Sequence, residues 1–88
     1  MERVEAELFT DGGNDAVVRL PGRRFPGVLV QGDIPRILSA DVAELVEPCV
    51  AGDLKEARQA ASLLQEELGA KLRCYTDALD AHGERRPF

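Results

Sequence analysis

The chain has 88 residues, of which 44% are hydrophobic and 31% charged, and its net charge is −5. That length makes one domain with a modest core, and that hydrophobic fraction excludes an intrinsically disordered segment. The acidic balance opposes binding to nucleic acid or to an anionic membrane, since both need a basic surface, and suits a soluble protein that meets a basic partner.

Aromatic residues are few: Phe9, Phe25, Tyr75 and Phe88, with no Trp. The core must therefore be built from Leu, Val and Ala, as in helix-on-sheet packing. Arg outnumbers Lys nine to two and Asn occurs once, at Asn14. GC-rich codons produce that bias, which hints at a GC-rich bacterial genome. No N-terminal apolar run resembles a signal peptide and no stretch reaches membrane-spanning length, so a cytoplasmic location is expected.

In chain order, residues 3–9 alternate, with Val4, Ala6 and Leu8 on one face and Arg3, Glu5, Glu7 and Phe9 on the other. This is the pattern of a half-buried antiparallel strand. Residues 10–15 are turn chemistry, and residues 16–20 make the second strand of a hairpin. Pro21-Gly22 stops it, and a loop carrying Arg23 and Arg24 closes on Phe25-Pro26-Gly27. The Phe25-Pro26 bond is open to either isomer. Residues 27–31 form the third strand, with Val28-Leu29-Val30 expected to be buried.

Asp33 is a suitable N-cap and Pro35 fits the first helical turn. Ile34, Ile37, Leu38, Val42, Leu45, Val46 and Cys49 then fall on one helical stripe. The alternative is that Gly32-Asp33 turns the chain into a fourth strand through Ile37-Leu38. Pro48 either ends this helix near Glu47 or kinks it. Gly52 is a break, and Asp53 with Glu56 resembles a capping box. A second amphipathic stripe runs through Leu54, Ala57, Ala61, Leu64, Leu68, Leu72, Tyr75 and Leu79, which predicts a helix over 54–81, about 42 Å long at 1.5 Å per residue. Gly83 supplies its stop.

The chain offers little catalytic chemistry. Its only histidine, His82, sits where a cation favours a helix C-terminus. Cys49 and Cys74 lie in no C-x-x-C pair, and Cys49 reads as a buried thiol on its stripe. There is no phosphate loop and no nucleophile elbow. No metal, no cofactor and no enzymatic activity are expected. Asp41, Glu44 and Glu47 share one helix flank, and Glu56, Glu66 and Glu67 lie on the next helix; these carboxylates are either an ordinary solvated face or a patch that attracts a basic protein. Arg23 and Arg24 are either solvated or able to clamp an anion, the latter implying an anion-binding regulator. The long second helix overhangs a small sheet, so its stripe meets either the first helix or another chain. The second option predicts a homodimer through Leu68, Leu72, Tyr75 and Leu79.

The run Arg23-Arg24-Phe25-Pro26-Gly27-Val28-Leu29-Val30-Gln31-Gly32-Asp33, followed by an amphipathic helix, resembles a motif of small uncharacterised bacterial proteins. It is also similar to immunity proteins of polymorphic toxin systems, in which an aromatic-Pro-Gly-aliphatic strand ends in Gly-Asp before a helix. The matching positions are Phe25, Pro26, Gly27, Gln31, Gly32 and Asp33. Ile34-Pro35 departs from the Ser or Thr, then Leu, usual after that Asp. The resemblance implies a bacterial cytosolic domain and suggests toxin neutralisation; it carries over no binding residue.

The sequence thus predicts a single α+β domain over 1–88. A three-stranded antiparallel sheet (1–32) is covered on one face by two antiparallel helices (33–83), the second long, with a short tail (84–88). Its core is expected to hold Val4, Ala6, Leu8, Val18, Val28, Val30, Ile37, Leu38, Val42, Leu45, Leu64, Leu68 and Leu72. The expected function is a non-enzymatic protein-binding module, an immunity protein or antitoxin. The alternative is a self-assembling scaffold that uses the long helix.

Overall fold

The computed structural model describes residues 1–10 and 15–88. Three strands, β1 (Glu7–Leu8), β2 (Asp15–Arg19) and β3 (Gly27–Val30), precede two helices, α1 (Ile34–Ala51) and α2 (Leu54–Ala81). The sheet is antiparallel throughout, in the order β1-β2-β3. The fold is therefore α+β, as the change from strand period to helix period near Asp33 requires. The chain divides into two compact units. One joins residues 1–31 to residues 71–88; the other is residues 32–70.

In the sheet unit, register decides which residues are inside. Leu8 pairs with Val18, and Val18 with Gly27, while Val17 pairs with Val28 and Asp15 with Val30. Directly paired residues share a face. Phe9, Val17, Val28 and Val30 thus lie on one face, and Leu8, Ala16, Val18 and Leu29 on the other. The expected core mixed the two. The face carrying Val17 meets the last turns of α2, and the core there is Phe9, Val17, Tyr75, Ala78 and Leu79. Leu8 and Leu29 are exposed.

β1 is shorter than residues 3–9 because its partner runs out. Continuing the pairing would set Glu5 against Pro21, which has no N–H to give to a ladder, and Gly22 then turns away with a φ of 78°. The pairing instead extends forward, where the Phe9 N–H donates to the Val17 carbonyl at 2.8 Å. The expected turn at 10–15 lies, in residues 11–14, outside the described residues. The Phe25-Pro26 bond is trans.

The end of α2 is fastened to the sheet by polar contacts at the edge of this core. Lys71 Nζ lies 2.8 Å from Asp15 Oδ1, and the Cys74 thiol donates to the Asp15 carbonyl. Arg19 donates to Glu7 at 2.8 Å and to Glu84 at 3.2 Å, and its guanidinium lies 5.4 Å from the centre of the Phe9 ring. His82 Nδ1 lies 2.9 Å from the Ala78 carbonyl, and its ring meets Phe9 edge-on. The tail returns Phe88 to within 6.5 Å of Tyr75.

In the helical unit, α1 begins after Asp33, with Pro35 in its first turn, so the fourth-strand alternative is overturned. Asp33 gives no side-chain cap; its carbonyl accepts from the Ile37 N–H. Pro48 does not stop the helix, which runs to Ala51 and closes at Gly52 in the left-handed region, φ 75°. Asp53 caps α2 through a bond from the Glu56 N–H to its Oδ1, 3.2 Å.

α1 contains no buried residue. Its half-buried positions are Ile34, Leu38, Asp41, Leu45 and Pro48, at alternating steps of four and three. That is the narrow seam of a helix pair, about half the width of a stripe facing a full layer. Ile37, Val42 and Val46 fall outside it and are exposed, as is the Cys49 thiol that was expected to be buried. On α2 the matching positions are Ala57, Ala60 and Leu64, with Ala57 buried.

Candidate protein-binding site

The helical unit carries a groove of about 500 Å³ at the α1–α2 turn. Its acidic wall is Glu44 and Glu47 on α1 with Asp53 and Glu56 at the start of α2; Pro48 and Leu63 are among its apolar lining. The local sequence builds it directly. Gly52 reverses the chain at a backbone angle that glycine adopts without strain. The two helix ends therefore stand side by side, and the i, i+3 spacing of Glu44 and Glu47 sets both carboxylates along one edge. Four carboxylates and no basic side chain line the groove. A groove lined by both carboxylates and apolar side chains suits an amphipathic segment whose Lys or Arg side chains reach the carboxylates.

Of the residues expected to bind a partner, Glu44 and Glu47 line this groove, but Asp41 does not. Asp41 occupies the α1 seam, with Oδ2 shielded from solvent and accepting no hydrogen bond from the described residues. Asp53, Glu56 and Leu63 complete the groove. Asp53 and Leu63 escaped the sequence reading because Asp53 was absorbed by its capping role and Leu63 lies off the main stripe of α2.

Arg23 and Arg24 belong to the sheet unit, and their environments differ. The Arg24 guanidinium lies 5.3 Å from the centre of the Phe25 ring, while its carbonyl accepts from Arg19. Arg23 borders an open concavity on the far face of the sheet.

The expected dimer contact divides as well. Tyr75 and Leu79 are 8% and 0% exposed in the single chain, packed against Val17, so they are core and not interface. Leu68 and Leu72, one turn apart, are 54% and 52% exposed. The last turns of α2 bury Tyr75, Ala78 and Leu79 in the core of the sheet unit, whereas in the helical unit its first turns bury Ala57.

The strongest electrostatic perturbation lies at Arg19. Its hydrogen bonds to Glu7 and Glu84 raise its pKa further, and the bond from Arg19 holds the Glu7 carboxyl below its ordinary 4.5. This cluster is a structural clamp. Among the described residues no group of three His, Cys, Asp or Glu side chains is placed to hold a metal ion. No helix among the described residues is long and apolar enough to cross a membrane.

No curated protein and no solved structure matches the chain. One family does, along the whole sequence: over residues 1–88 the chain belongs to DUF6959, a family of unknown function.

Proposed function

We propose that this chain is a non-enzymatic protein-binding module that takes a basic partner in the groove between α1 and α2. The observation that carries this reading is the lining of that groove, where Glu44, Glu47, Asp53 and Glu56 stand together with Pro48, Ala51, Ala60 and Leu63. In a chain of net charge −5, such a lining steers a basic surface and fixes its register. The resemblance of the 23–33 run to immunity proteins makes a toxin the class of partner, neutralised in a bacterial cytosol. The scaffold alternative through α2 is the weaker reading, because Tyr75 and Leu79 are already spent on the chain's own core.

The test is capture from the native host with the unmodified chain and with Glu44→Lys/Glu47→Lys. Both side chains are exposed, so the variant should retain its circular dichroism. The expected result is a basic protein recovered by the unmodified chain and lost by the variant. That protein should arrest growth when expressed alone and be harmless alongside this chain. Equal recovery by both chains overturns the groove as the site. A recovered partner that is harmless alone overturns the toxin assignment.

A further inference from the structure

The two edges of the sheet are built differently. β1 is two residues long and carries the charged Glu7, which Arg19 holds through two hydrogen bonds of 2.8 Å. Short length and charge are how sheet edges avoid pairing with other chains. β3, the opposite edge, has neither charge nor proline: it reads Gly27-Val28-Leu29-Val30. Which of its backbone groups are free follows from the register. The Phe9 N–H donates to the Val17 carbonyl, and the Val17 N–H donates to the Thr10 hydroxyl at 3.1 Å. Both polar groups of the Val17 backbone thus point to β1. These groups alternate sides along a strand, so those of Ala16 and Val18 point to β3, where they meet Leu29 and Gly27. The N–H and C=O of Val28 and Val30 therefore point away from the sheet. No described residue bonds to them. Just before the strand, the Pro26 carbonyl is taken by the Tyr75 hydroxyl, so the open row begins at Val28.

We propose that this row is a docking edge for an extended segment of a partner protein, which adds a strand beside β3. Donors and acceptors at i, i+2 spacing match the edge of another strand; a helix uses the same groups internally and has none to offer. The side chains of β3 set the partner's chemistry. Residues of the added strand opposite Val28 and Val30 share the face that carries Val17, and the residue opposite Leu29 shares the other face. All three positions of β3 are aliphatic, and Val28 and Leu29 are 38% and 60% exposed. Cross-strand pairing with them favours an unbroken run of aliphatic or β-branched residues in the partner. The net charge of −5 favours a basic protein as its bearer and works against a second copy of this chain. The partner is thus a basic protein that exposes a short aliphatic strand. The edge belongs to the sheet unit and uses none of the carboxylates of the groove in the helical unit, so either assignment can fail without the other.

The test is amide hydrogen exchange, read by NMR on the full chain, alone and with a synthetic peptide that has a Val-Ile-Val-Ile centre and lysines at both ends. In the free chain the Val28 and Val30 amides should exchange about tenfold or more faster than those of Gly27 and Leu29, which donate to β2. Saturating peptide should slow Val28 and Val30 about tenfold and leave the amides of α1 unchanged. The same peptide N-methylated through its centre cannot donate to the Val28 and Val30 carbonyls, and should bind about thirtyfold more weakly. Val30→Pro removes one outward N–H and no bond to β2, and should weaken binding about fivefold. Val28 and Val30 amides that are already slow in the free chain overturn the proposal, because the edge is then paired. So does protection that grows with the concentration of the chain alone, which assigns the edge to a second copy. A peptide that slows no amide of β3, or an N-methylated peptide that binds as tightly, overturns it as well. These readings use the unmodified chain and stand even if Val30→Pro folds poorly.

Discussion

The hydroxyl of Tyr75 donates a hydrogen bond of 2.8 Å to the carbonyl of Pro26, across 49 residues of sequence. Tyr75 is 8% exposed, so the bond is made out of water and holds the end of α2 to the residue that leads into β3. Tyr75→Phe keeps the ring and removes the donor, leaving the Pro26 carbonyl short of a partner. We expect a loss of about 1–2 kcal/mol, read from the midpoint of urea denaturation at unchanged slope. No loss would show that the carbonyl is otherwise satisfied.

Leu79 and Leu72 lie two turns apart on α2 yet differ in burial, 0% against 52% exposed. Leu79→Ala should cost about 2–5 kcal/mol, because the cavity opens in a core of five residues. Leu72→Ala should cost less than about 1 kcal/mol. Equal losses in parallel denaturation curves would contradict this placement of the α2 face.

Asp41 holds a seam position on α1 with one carboxylate oxygen shielded and unbonded among the described residues. Asp41→Leu replaces that group with an apolar one at the spacing of Leu38 and Leu45. The variant should be more stable by about 1–2 kcal/mol, since an unmet polar group is removed and apolar contact added. A destabilised variant would mean that the Asp41 carboxylate has a partner in solution.

Glu7 is bound by Arg19, and that hydrogen bond keeps its carboxyl below the ordinary 4.5. A carboxyl lowered on folding binds its proton less readily in the native state than in the unfolded one. Its stabilising effect is therefore complete above 4.5 and is lost as pH falls through the lower, folded value. NMR titration of the Glu7 side chain should give a midpoint below 4.5, and Arg19→Met should move it back toward 4.5. An unchanged midpoint in the variant would remove Arg19 as the cause.

Gly52 closes α1 with φ at 75°, and nothing lies within 4 Å of where a Cβ would stand. Gly52→Ala therefore meets no clash and pays for backbone strain alone, about 1–2 kcal/mol. A fall in thermal midpoint without loss of helical circular dichroism is the expected reading. A larger collapse would show that the turn tolerates no side chain.

Local chemistry placed the secondary elements. The period change at Asp33, the break at Gly52 and the stop at Gly83 depend on backbone angles and spacings a few residues apart, so α2 starts and ends where its own sequence says. Glu44 and Glu47 were legible as one edge for the same reason. The sidedness of the sheet was not. Val17 and Val18 are the same amino acid, and a shift of one residue in pairing exchanges their faces. Pairing with Leu8 and Gly27 left Val18 outside, and pairing with Val28 put Val17 inside. Nor could spacing tell that Tyr75 and Leu79 meet strands while Leu72, on the same stripe, stays in water. A stripe records which residues are apolar along one helix; what covers each turn of it depends on contacts between residues dozens of positions apart, and those the tertiary structure alone decides.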